Sequence, residues 1–120
     1  MKVFIILLLF LAPLPLISHA EDFCLSLSDK ADAERAIIPS SDSGYKVSGA
    51  GRAYFYSAPN EKCKIKNLFI IPGDLVNALA DYNNYTYIMY FTKDGKNVEG
   101  WVKSNRLTPT GTGIGPSGNN

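Results

Sequence analysis

Histidine is almost missing from this chain of 120 residues: the single one, His19, stands at the end of an apolar leader. Lys2 precedes an unbroken apolar run from Val3 to Leu16 or Ile17, and Ser18-His19-Ala20 follows it. That is the charged start, apolar middle and small-residue exit of a secretory signal. The run is shorter than the about 18 residues that a spanning helix needs, and it carries Pro13 and Pro15. A signal over residues 1–20 is therefore expected, cleaved after Ala20, with no transmembrane segment left behind. The remaining chain, residues 21–120, holds no histidine. Ser-His and Cys-His nucleophile pairs and histidine-containing zinc sites are excluded with it.

Cysteine is equally scarce. Cys24 and Cys63 are the only two, and an even count in an oxidising compartment admits one pairing, so a Cys24–Cys63 disulfide is expected. Its loop of about 40 residues corresponds to roughly 4 kcal/mol in the chain-entropy picture. Two buried thiols are the alternative. A lipid-bearing Cys24 is not expected, because Glu21-Asp22-Phe23 before it are charged and bulky.

Neither sign of charge dominates. Without Lys2 the chain has eleven basic and eleven acidic residues, but they are unevenly placed. Glu21 to Asp42 carries six acidic residues against two basic, a net of −4, and the rest carries five against nine, a net of +4. The acidic lead-in either lies against the basic body or marks an interaction surface. A neutral exported chain is not expected to bind nucleic acid. The carboxylates show no pairing suited to glycoside hydrolysis. No catalytic residue, metal or cofactor is expected.

What is present is tyrosine and short strands. Asp29 to Ile38 is expected as a short helix, with Ser28 as N-cap and Pro39 as its stop. Ser40 to Gly51 has the composition of a loop, in which Tyr45-Lys46-Val47 can pair. Ala53 to Tyr56 is the first clear strand. In Lys62-Cys63-Lys64-Ile65-Lys66 the alternation puts three lysines on one face and Cys63 with Ile65 on the other. Phe69-Ile70-Ile71 leads into a turn at Pro72-Gly73-Asp74, and Leu75 to Ala80 follows as a strand. Tyr85 to Phe91 is the strongest strand signal. Asp94-Gly95 is a hairpin turn returning through Val98 to Val102. Ser104 to Leu107 is expected as a last 3₁₀ turn, and Thr108 to Asn120 as a disordered tail.

Three signatures in this order carry a resemblance. Ala53-Tyr54-Phe55-Tyr56-Ser57-Ala58-Pro59, Pro72-Gly73-Asp74-Leu75-Val76 and Gly100-Trp101-Val102-Lys103-Ser104-Asn105-Arg106-Leu107 resemble the first strand, the Gly-Asp-x-Val strand and the closing Gly-Trp-Val of bacterial SH3-like (SH3b) domains. The resemblance covers Gly51 to Leu107, about 57 residues. Tyr85 and Tyr87 stand where that family commonly has a Trp. The fold expected is all-β, a small SH3-like barrel over 51–107, with a short helical or loop extension over 21–50 and a tail over 108–120.

The resemblance implies an exported, non-enzymatic binding protein of the periplasm or outside. Its partner is another envelope or secreted protein, which it inhibits or gives immunity against, or else a peptidoglycan fragment. No second domain is read in the chain, which favours a free-standing partner binder. The candidate binding residues are Tyr54, Tyr56, Tyr85, Tyr87, Trp101 and Lys64. The aromatic ones either pack the core or meet a ligand. If Val98, Gly100 and Val102 face the core, Trp101 lies on the polar side. Lys62, Lys64 and Lys66, with Lys103 and Arg106 near, form either an anion-binding stripe or the protective lysines of an edge strand.

Overall fold

The computed structural model describes residues 19–113, in which eight strands, Ala53–Tyr56 and Tyr85–Phe91 the richest of them in aromatic residues, build the sheet. They follow one helix, α1 (His19–Glu34). In order they are β1 (Ala36–Ile37), β2 (Gly44–Val47), β3 (Ala53–Tyr56), β4 (Lys64–Ile70), β5 (Leu75–Tyr82), β6 (Tyr85–Phe91), β7 (Asn97–Lys103) and β8 (Leu107–Pro109). All pair antiparallel in one sheet, in the order β4-β3-β7-β6-β5-β2-β8, with β1 also on β5.

The sheet curls into a half-barrel. Ile70 of β4 and Val47 of β2 lie five strands apart in that order, yet join one core with Ala53, Phe55, Val76, Ala78, Ile88 and Val102. A flat sheet would hold them more than about 20 Å apart. Close approach inside the curl fixes Gly100, whose absent side chain leaves room for the buried Phe55 ring; a Cβ there would lie 2.8 Å from Phe55 Cδ2.

The opposite face is not left to water. Tyr56, Tyr85 and Trp101 are buried there with Ala31 of α1, and Tyr54, Tyr82 and Tyr87 pack around them. A β-bulge at Leu79 brings part of this about. Ala78 faces Ile88 on the core side, but after the bulge Ala80 faces Tyr87 and Tyr82 faces Tyr85. Without the extra residue, strict alternation would turn Tyr82 towards the core. On α1, Cys24, Leu27, Ser28 and Ala31 recur at helical spacing and form the covered stripe, which Arg35 continues just past the helix end.

Cys24 and Cys63 form the expected disulfide, with Cα atoms 5.7 Å apart, and Ala58 is buried beside it. It joins the start of α1 to the 3₁₀ turn Glu61–Cys63 that precedes β4. Among the described residues no helix is long and apolar enough to cross a membrane.

Several local expectations change. The helix expected over 29–38 instead spans His19–Glu34, and Ser28 lies in its interior rather than at its cap. Ala36 and Ile37 leave it to pair with Ala80 and Asp81, and Ile38 donates to the Leu79 carbonyl. The β-branched Ile37 and Ile38 favour the sheet over another helical turn. The alternation of Lys62 to Lys66 is also broken: Glu61–Cys63 is a 3₁₀ turn, and Lys66 to Leu68 are unopposed between the Ile65 and Phe69 pairings. Cys63 thus joins the disulfide cluster while Ile65 packs on the sheet core.

Thr108 and Pro109, placed in the tail on composition, belong to β8 and pair with Lys46 and Tyr45. Thr110 continues the contact by donating to the Gly44 carbonyl. The rest of the expected tail from residue 114 lies outside the described residues, as does the expected leader except His19 and Ala20, the first positions of α1.

Candidate functional site

β3 and β7 are neighbours through Tyr56 and Trp101. Continuing that register places Lys103 near Tyr54 and Asn105 near Arg52. Lys64 enters from the other side, since β4 pairs it with Tyr56. Four cations, Arg52, Lys64, Lys103 and Arg106, and two tyrosines, Tyr54 and Tyr56, thereby line a groove of about 340 Å³, with Asn105 on its wall.

The cations are held differently. Arg106 is committed to the backbone: Nε donates to the Ser48 carbonyl at 2.8 Å, Nη1 to Arg52 at 2.8 Å and Nη2 to Gly51 at 2.7 Å. It pins the loop before β3 and so positions Arg52. Arg52 rests on the Phe69 ring, 4.2 Å from its centroid, and Phe69 meets Tyr54 edge-on at 5.8 Å. Lys64 lies 4.7 Å from the Tyr54 centroid and Lys103 5.9 Å from that of Tyr56. Aromatic faces attract cations and fix their long stems without neutralising them.

One carboxylate touches this set. Glu61, on the turn before β4, is ion-paired with Lys103. The hydrogen bond from Lys103 holds the Glu61 carboxyl below the usual glutamate range, against a smaller opposing effect of burial, and the charges of Lys103 and Lys64 add to the lowering. The same bond raises Lys103. Arg52 and Lys64 rest on aromatic faces, Phe69 and Tyr54. The groove is cationic.

A second hollow of about 510 Å³ adjoins it through Lys103 and Asn105, with Asn84, Tyr85 and Ser104. Burial pushes the Tyr85 phenol up, and the Glu61 charge does so further. Thr86 donates to Asp81 at 2.7 Å and lies 2.7 Å from the Ser104 hydroxyl, which ties the floor of this region to β5 and β6. No group of three His, Cys, Asp or Glu able to hold a metal occurs among the described residues.

The six expected binding residues therefore divide. Tyr54, Tyr56 and Lys64 line the groove, Tyr85 reaches the adjoining hollow, and Tyr87 and Trp101 lie beneath α1. Trp101 is 1% exposed. Its face was assigned correctly by alternation, but that face is covered by a helix, not water. Tyr87 packs against it, donates to Glu99 at 3.1 Å and lies under Arg35. Arg52 and Asn105 were missed. Their signal was the antiparallel neighbourhood of β3 and β7, which brings the residues before one strand to those after the other.

Compared with protein-family models, curated proteins and solved structures, the chain matches none.

Proposed function

We propose that the protein is an exported, non-catalytic binding protein of the SH3-like kind. It holds another protein of the envelope through the groove between β3, β4 and β7, and acts as an inhibitor or immunity-type factor against a toxin or wall hydrolase. The observation that carries this reading is the groove: four cations around Tyr54 and Tyr56, with Glu61 the carboxylate in contact. Such a surface suits charge-complementary recognition, in which the charges set partner choice and association rate and the half-buried Tyr54 ring supplies contact area. The Cys24–Cys63 disulfide is consistent with an oxidising compartment. The resemblance of residues 51–107 to SH3-like domains and the absence of histidine after residue 19 support a binding role over a catalytic one.

The test is a pulldown from envelope extract with the form lacking residues 1–20, beside an Arg52→Ala/Lys64→Ala variant. Recovery of one stoichiometric protein, lost with the variant, supports the reading. Recovery of none, together with sedimentation on purified wall sacculi at low salt, replaces it by binding to wall polymer.

A further inference from the structure

Lys103 is shared by the groove and the adjoining hollow, so the Glu61–Lys103 pair stands at their junction. We infer that the groove takes a carboxylate-rich segment of a partner protein, and that Glu61 occupies in the free protein the place at Lys103 which a carboxylate of that segment takes. The inference rests on the binding role proposed above and names both its ligand and its internal competitor.

Glu61 is well placed for this. It begins a 3₁₀ turn whose Asn60 cap accepts from the Lys62 amide at 2.9 Å, and whose last residue, Cys63, is tied to α1. The turn therefore holds Glu61 beside the lysine while its side chain remains 61% exposed and that of Lys103 40% exposed. An ion pair so open to water is weak and separates without disturbing the fold. Its opening leaves Arg52, Lys64 and Lys103 for a ligand, while Arg106 keeps its three backbone bonds.

The chemistry of the occupant follows from what the site already accepts, a carboxylate at a lysine that lies over the Tyr56 ring. Lys64 and Lys103 lie on strands separated by β3, about 10 Å between strand axes. Carboxylates three residues apart on a segment of polyproline II form share one face and lie about 9 Å apart, which matches that distance. A protein segment rich in Asp and Glu supplies this pattern.

The experiment is a calorimetric titration of the folded protein with a hexaglutamate peptide at low salt. Circular dichroism confirms folding of every variant. The parent is expected to bind, and Arg52→Ala and Lys64→Ala to weaken binding. Glu61→Gln is expected to tighten it about two- to fivefold, the worth of an exposed ion pair. A distant Asp29→Asn on α1 is expected to change nothing. In a Lys103→Ala background the gain from Glu61→Gln is expected to vanish, since Glu61 then has no place to compete for. A gain that persists without Lys103, or no gain at all, overturns the competitor while leaving the groove standing if Arg52→Ala and Lys64→Ala still weaken binding. If those two variants bind as the parent does, or the parent itself does not bind the peptide, the ligand assignment itself falls. Equal binding of inorganic phosphate or of a wall muropeptide overturns the choice of a protein segment.

Discussion

Tyr87 and Trp101 stand opposite each other on β6 and β7, with ring centroids 5.3 Å apart and planes at 73°. The face they share is roofed by α1. Trp101 is the only tryptophan of the chain, and it sits with Ala31, Tyr56 and Tyr85 on the side of the sheet away from the main core. The sheet is thus buried on both faces over β3, β7 and β6, and the helix is part of the fold rather than an appendage to it.

Trp101→Ala is expected to lower stability by about 3–5 kcal/mol, because a large buried ring is replaced by a cavity under a helix that cannot collapse freely onto the strands. Urea unfolding followed by circular dichroism measures this. In the parent, tryptophan fluorescence is expected to resist acrylamide until the protein unfolds. Ready quenching of the folded protein would contradict the burial.

The helix owes its position largely to one covalent link. Cys24→Ser/Cys63→Ser removes a cross-link between residues 39 apart, and stability is expected to fall by up to about 4 kcal/mol. For a domain of this size that amounts to roughly 15–30 °C in melting temperature. Because the link lies at the first turns of α1, the mutant is also expected to expose Trp101 to quencher before global unfolding. Equal melting temperatures under oxidising conditions would sink the expectation.

The strands were legible because their signals are local. Ala53–Tyr56 and Tyr85–Phe91 carry aromatic and β-branched residues between strong turn signals, and both strands have the expected bounds. What stayed hidden depends on contacts far apart in sequence. No local pattern tells that α1 covers Trp101, because Ala31 is a small residue in a polar helix and its burial arises from the sheet it meets. The bulge at Leu79 is equally silent, since the alternation of Val76, Ala78 and Ala80 looks regular until Tyr87 is seen opposite Ala80. In the groove, Lys64 and the two tyrosines were found by residue type. Arg52 was missed because its place depends on strand order. Lys62 does not extend the strand because Cys63, held by its partner on α1, closes a turn, while Lys64 and Lys66 lie exposed on β4 at the sheet edge.

Arg106 offers a test of how the groove is shaped. Its guanidinium serves Ser48, Gly51 and Arg52 carbonyls at once, an arrangement that a planar fork allows and a single ammonium does not. Arg106→Ala is expected to cost about 2–3 kcal/mol, less than three separate charged hydrogen bonds because part of the group is wet. Arg106→Lys is expected to recover only a minor share. The measurement is denaturant unfolding, with amide exchange at residues 48–52 as the local readout. Full rescue by lysine would show that charge alone matters there.

The Glu61–Lys103 pair gives the pH dependence its sign. Glu61 has its folded value lowered, chiefly by the hydrogen bond from Lys103, so its contribution is present above the ordinary glutamate range and is lost as pH falls through the lowered value. Lys103 is raised, chiefly by the same bond, so its contribution is complete below the ordinary lysine range and is lost as pH rises through the raised value. Tyr87 adds to the alkaline limb: burial raises it first, and its bond to Glu99 next, so its protonated form stabilises the fold until it ionises. Both members of the ion pair are substantially exposed, which keeps the acid limb shallow. Carboxyl-detected NMR is expected to find Glu61 titrating below the usual glutamate range in the parent, and Lys103→Ala is expected to return it upward. A Glu61 that titrates alike in both would mean the pair is absent in solution, and with it the competition for Lys103.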